Sequence, residues 1–138
     1  MSTTRVYVDG SWSASNPEVV GWGVVVAGSE PVVSFAGKVE TEGADALHQV
    51  AGELAAAMRA VIWAKKQGFT DIVILHDYIG VAAWVQGTWK CKNTFTQQYR
   101  AFMLEHAKTG ILIRFEKIAG NNPADVLARS ITGAQDRH

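Results

Sequence analysis

Residues 5–12 read RVYVDGSW: Val6 and Val8 mark one face of a β-strand, and the run then stops on a carboxylate, Asp9, followed by Gly10. Asp-Gly is a turn signal in its own right, so a simple bend is the plainest reading. A strand that ends by aiming a carboxylate past the sheet gains a second meaning only if other carboxylates fall in matching places. One does. Residues 71–77, DIVILHD, form an apolar, β-branched run consistent with a strand buried on both faces, and it too ends on a carboxylate, Asp77.

Between these two runs the pattern changes once. VVGWGVVVAG (19–28) and PVVSFAGKVE (31–40) read as second and third strands, joined by short links rich in Asn, Pro and Gly that suit antiparallel hairpins. From Ala44 the apolar period becomes helical, with Leu47, Val50, Ala51, Leu54, Met58, Val61 and Ile62 forming a stripe that ends near Gly68. After the strand ending at Asp77 come a short helix in GVAAWVQG (80–87) and a basic link, TWKCKN. A longer helix follows in FTQQYRAFMLEHAK (95–108), with Phe95, Tyr99, Phe102 and Met103 inward. GILIRFEKI (110–118) is a fifth strand, and NNPADVLARSI (121–131) a last helix in which Pro123 suits a first helical position behind an asparagine cap. This order predicts an α/β fold, a five-stranded mixed sheet with three antiparallel N-terminal strands, then parallel strands, and helices on both faces.

Length and composition set the frame. The 138 residues suit a single domain over 1–138, and nearly half of them are apolar. No apolar run is long enough to cross a bilayer, and MSTTR leads straight into a strand, so neither membrane anchor nor signal peptide is expected. The lone cysteine, Cys91, cannot form an internal disulfide, which fits the cytoplasm. Thirteen basic and 13 acidic residues balance, which argues against indiscriminate polyanion binding driven by bulk charge.

Two further carboxylates join the first pair. If the strands ending at Asp9 and Asp77 lie parallel and adjacent, their carboxyl ends share the rim where open α/β sheets bind ligands. Glu53 lies in QVAGELAAAMRA, flanking the apolar stripe, with Gln49 one turn earlier on the same edge. Ala57 and Ala60 continue that edge, small enough to let a bulky ligand reach the helix backbone. Asp125 falls in the first turn of the last helix, where the helix dipole alone would favour it. Singly, each has an ordinary structural explanation. Gathered, such oxygen donors suit Mg²⁺ or Mn²⁺ rather than zinc, and a pair of these ions about 3.5–4 Å apart is a device for in-line phosphodiester cleavage.

The sequence resembles a type 1 ribonuclease H, through YVDGS, GWGVVV, QVAGEL, HDYIGVAAW, WKCKNTFTQQY and NNPADVLA in that order. The AGEL and HDYIGVAAW forms resemble the bacterial branch whose members in some cases carry a viroplasmin-like domain. The resemblance implies cleavage of the RNA strand of an RNA/DNA hybrid using two Mg²⁺ ions, for which Mn²⁺ can substitute; a monomer is expected, with no protein partner implied. It makes Asp9, Glu53, Asp77 and Asp125 the ligands, with Asp9 on both ions, Asp125 on the one that activates water, and Glu53 and Asp77 at the leaving group. It also implies substrate contacts from backbone groups of Gly10 and Ser11, from Gln49 and from Asn121. Asn93, Thr94 and Thr96 fall where this branch places a phosphate pocket. Trp84 and Trp89 are candidates to line the channel for the DNA strand, core packing being the competing reading of Trp84.

The match departs from the family in the last loop. EKIAGNNPAD is short, with Ile118 where many members carry a histidine and Asn122 where an accessory glutamate is common. Slower turnover or a shifted metal optimum is the expected consequence, reversed by restoring the loop. His76 alternates away from Asp77 and reads as a buried, hydrogen-bonded histidine, whereas His48 is placed to touch substrate. The basic protrusion is reduced to QGTWKCK, which predicts weaker hybrid affinity and steep salt dependence. The rivals are a DNA nuclease on the same fold and a hybrid-binding module without chemistry. A small-molecule α/β domain would need a Gly-rich phosphate loop, which the strand-to-helix junctions lack.

Overall fold

The computed structural model describes residues 3–40 and 44–133; residues 1–2, 41–43 and 134–138 of the domain expected over 1–138 lie outside the described residues. Strands β1 (Thr3–Trp12), β2 (Val20–Val26) and β3 (Ser34–Lys38) run antiparallel. Helix α1 (Gln49–Lys66) leads to β4 (Asp71–His76), and α2 (Gly80–Gln86) and α3 (Thr94–Lys108) lead to β5 (Leu112–Lys117); α4 (Ala124–Thr132) comes last. The sheet order is β3-β2-β1-β4-β5, with β4 parallel to both β1 and β5. That is the mixed sheet expected from the element order. β1 is central because the long α1 connection allows β4 to return parallel to it.

Side-chain alternation divides β1 between the two faces. Val6 and Val8 enter the main core with Ile72 and Ile74 of β4, beneath α1. Asp9 therefore points to the opposite face, where α4 packs across β1, β2 and β3. Helix α1 is enclosed by the sheet on one side and by α2 and α3 on the other, which buries residues 51–57 almost all round. Ala57 and Ala60 are consequently fully buried in the core, so the edge read as open to a ligand is instead a packing surface. Inside the helical layer Tyr99 donates from its hydroxyl to the Val81 carbonyl at 2.5 Å. Burial pushes that phenol far above its ordinary pKa, so it remains a neutral donor.

Two boundaries differ from the sequence reading in ways that the local bonding and backbone explain. Residues Ala44–Leu47 form a 3₁₀ turn, and α1 starts only after His48, whose φ of 55° and ψ of −139° interrupt the helix. The third strand begins at Ser34 rather than Pro31. Ser29 donates from its hydroxyl to the Val26 carbonyl at 3.2 Å and accepts from the Val33 N–H at 3.0 Å. That side chain therefore takes up the Val33 N–H and the segment before Ser34 becomes loop. At the other end of the chain α4 starts at Ala124, so Pro123 stands just before the first helical position rather than in it, while Asn122 Oδ1 accepts from the Ala124 N–H at 3.0 Å.

Candidate active site

The last paired residues of β1 and β4 are Tyr7 and Leu75. Two residues further along the chain in each case stand Asp9, within β1, and Asp77, just past the end of β4, at the carboxyl end of the parallel pair. Glu53 reaches the same place from α1. The approach depends on glycine: a Cβ on Gly10 would strike the backbone of Glu53, Gln49 and Gly52. With hydrogen there instead, α1 lies against β1 and delivers Glu53 to the end of the strand.

Asp9, Glu53 and Asp77 each offer a carboxylate oxygen within 4.8 Å of the others. Asp9 is wholly buried and Glu53 is 4% exposed, so two negative charges are held largely out of water. Such a set is electrostatically costly without a cation. Gly10 N–H donates to Asp9 Oδ1 at 2.9 Å and offsets part of that charge. All the donors are hard oxygens, and together with the enforced proximity this fits a divalent cation of the Mg²⁺ or Mn²⁺ kind. Tyr78, next to Asp77, has its hydroxyl pKa raised by burial and then by the Glu53 carboxylate.

Asp125 lies on the same face as Asp9 but is not a member of the 4.8 Å set. The first turn of α4 passes over Gly23, the cross-strand partner of Asp9, and a Cβ there would lie 2.6 Å from the Ala124 carbonyl oxygen. The Asp125 carboxylate is engaged along its own helix, where Arg129 Nε donates to Oδ2 at 2.9 Å. Arg129 escaped the sequence reading, although its i,i+4 spacing from Asp125 signals the pair.

The remaining candidates differ in exposure and in the bonds they make. Gln49 opens α1 and is exposed, and Asn121 is exposed in the loop before α4. The Ser11 side chain is buried and shares a 2.9 Å hydrogen bond with Thr132, so only its backbone remains for a ligand. Asn93 caps α3: its Oδ1 accepts from Thr96 N–H at 2.8 Å and from the Thr96 hydroxyl at 3.1 Å. Thr96 is buried, leaving Asn93 and Thr94 as the exposed members of that group. Trp84 and Trp89 are half-buried and edge to face at 5.4 Å, each also against Tyr78. His76 is buried and donates from Nδ1 to the Tyr78 carbonyl at 2.9 Å, with burial lowering its pKa. His48 is exposed and stacks on Trp12 with ring centroids 3.8 Å apart.

Asn122 proves to be a structural anchor. It is 8% exposed, and besides capping α4 its Nδ2 donates to the Val8 carbonyl at 2.8 Å. The residue read as the loss of an accessory acid thus ties α4 to the strand that carries Asp9.

A family model described as "Reverse transcriptase-like" matches residues 7–131. No curated protein sequence matches the chain. Among solved structures, ribonuclease H1 from the halophilic archaeon Halobacterium salinarum is similar with a TM-score of 0.76 and 23% identity, covering 94% of this chain and 96% of that one. The N-terminal ribonuclease H domain of a Mycobacterium tuberculosis protein gives 0.75 and 23%, covering 95% and 99%. LC11-RNase H1, of compost metagenomic origin and solved in complex with an RNA/DNA hybrid, gives 0.76 and 19%, covering 94% and 96%. With a fold shared across these structures and a family match over most of its length, the chain belongs to the reverse transcriptase-like family and carries the ribonuclease H fold.

Proposed function

We propose that the chain is an endoribonuclease that hydrolyses the RNA strand of RNA/DNA hybrids, using two Mg²⁺ ions for which Mn²⁺ can substitute, and leaving 3′-hydroxyl and 5′-phosphate ends. The observation that carries this reading is the gathering of Asp9, Glu53 and Asp77 oxygens within 4.8 Å at the end of the parallel strands. Family membership supports it, as does the fold shared with LC11-RNase H1, a protein captured with a hybrid. Asp9, Glu53, Asp77 and Asp125 would hold the ions, which when bound lower the pKa of water and offset charge on the leaving oxygen.

The chain's own residues then account for substrate choice. Backbone groups of Gly10 and Ser11, next in the chain after Asp9, with the exposed Gln49 and Asn121, would read the RNA strand. A 2′-hydroxyl, donor and acceptor at once, distinguishes that strand from DNA. Asn93 and Thr94, at the exposed start of α3, would take a phosphate and set register without reading bases. The described residues act as one catalytic domain, a monomer of the reducing cytoplasm in keeping with the single Cys91. No helix among the described residues is long and apolar enough to cross a membrane.

The test is incubation with Mg²⁺ and an end-labelled RNA/DNA hybrid, beside an RNA duplex and a DNA duplex of the same sequence. Cleavage of the hybrid alone, in its RNA strand, is the expected result. Cleavage of the DNA duplex would favour a DNA nuclease on this fold. Tight hybrid binding without cleavage in either metal would favour a binding module.

A further inference from the structure

Arg129 lies one helical turn beyond Asp125 on α4 and holds its carboxylate at 2.9 Å, with the two side chains only 14% and 21% exposed. An exposed pair at this spacing is weak and salt-screened; a pair this sheltered is screened much less. The helix that carries it is fixed at both ends. Asn122 joins its start to the Val8 carbonyl, and Thr132 joins its last turn to Ser11. The anchors hold Asp125 at its place over the sheet, and any shift of the helix would carry Arg129 along with it. A cation that takes Asp125 must share the carboxylate with the guanidinium or displace it. Asp9, Glu53 and Asp77 are already gathered, and Asp125 stands outside that set.

We propose that Arg129 is a positioning residue that acts as an internal counter-ion of Asp125, so that the ion needing Asp125 loads later and more weakly than the ion held by Asp9, Glu53 and Asp77. The proposal rests on the ribonuclease H reading above. It makes the second loading step the one that sets the cation concentration needed for turnover. Charge is the operative property: lysine at this position retains the competition, and a neutral amide removes it.

The test is Mn²⁺ titration of the full chain without substrate, by calorimetry and by electron paramagnetic resonance of free Mn²⁺. Wild type is compared with Arg129→Gln, Arg129→Lys, Asp125→Asn and Asp9→Asn, each shown to be folded by thermal unfolding in chelator. In Arg129→Gln the weak step should tighten by about tenfold, or enter the measurable range, while the strong step stays within about twofold. Arg129→Lys should stay near wild type, and Asp125→Asn should lose the weak step alone. An unchanged or weaker second step in Arg129→Gln would overturn the proposal and leave the ribonuclease H reading standing. Absence of any Mn²⁺ uptake sensitive to Asp9→Asn would overturn both.

Discussion

Gly10 of β1 and Gly52 of α1 meet backbone to backbone: a Cβ on Gly52 would lie 2.8 Å from the Gly10 Cα and would strike the Gly21 carbonyl oxygen. This contact sets how far Glu53 reaches toward Asp9. The atoms in the way belong to backbone, which cannot rotate aside as a side chain would. Gly52→Ala should therefore push α1 off the sheet and cost about 3 kcal/mol of stability, the upper range for overpacking. Urea unfolding reads the cost, and the metal affinity of whatever remains folded should fall with it. A variant as stable as wild type would show that α1 does not depend on this approach.

Asn122 makes two buried hydrogen bonds, to the Val8 carbonyl and from the Ala124 N–H. Asn122→Ala leaves both backbone groups without that partner and should cost about 2–3 kcal/mol. Asn122→Glu, which restores the acid common in relatives, should be destabilised too, because the longer side chain cannot span the same two groups. Urea unfolding of both variants checks this; a stable, more active Asn122→Glu would mean that the position serves metal handling instead.

His48 holds a φ of 55° and a ψ of −139°, a conformation favoured by glycine, and α1 begins with no side-chain cap hydrogen bond from it. Its compensation is the stacked ring of Trp12 at 3.8 Å. His48→Ala keeps the strain and loses the ring, whereas His48→Gly loses the ring and the strain together. The glycine variant should be the more stable of the two by about 1 kcal/mol. Equal unfolding midpoints would contradict the assigned strain.

Burial lowers the pKa of His76, partly opposed by its bond to the Tyr78 carbonyl. The folded protein then binds fewer protons than the unfolded chain as pH falls. The stability this neutral imidazole contributes is whole above the ordinary imidazole value and is lost as pH falls through the lower folded value. As pH falls from about 6.5, the ordinary value, through the lower folded value, the unfolding free energy should decline, with a shallower slope in His76→Gln. His106, also lowered by burial, contributes in the same direction and serves as the second comparison. Identical slopes in wild type and His76→Gln would refute the assignment.

Much of this was legible in the sequence because period and position carried it. Val6 and Val8 against Asp9, and Ile72 and Ile74 against Asp77, reveal two strands whose carboxylates share a face. The stripe on α1 placed Glu53 beside the core. Apart from Arg129, a local partner of Asp125, what escaped detection depends on partners distant in the chain. The helix break at His48 is hidden because Ala44 and Leu47 are apolar on either side of it, and its ring stack joins residues 36 apart. Ala57 and Ala60 suit a ligand edge as well as a crowded core until α2 and α3 are seen to enclose α1. Asn122 looks like a missing acid until its bonds to Val8 and Ala124 are seen.

On the proposed function, Asp9 near the end of β1 anchors a metal-dependent cleavage of RNA in a hybrid. The most direct measurement is cleavage of an end-labelled RNA/DNA hybrid in Mg²⁺ by wild type and by Asp9→Asn, with thermal unfolding showing both proteins folded. Wild type should cleave the RNA strand, and the variant should lose about three orders of magnitude in rate, the scale of removing a principal charge-stabilising group. Comparable cleavage by a folded Asp9→Asn protein would contradict it.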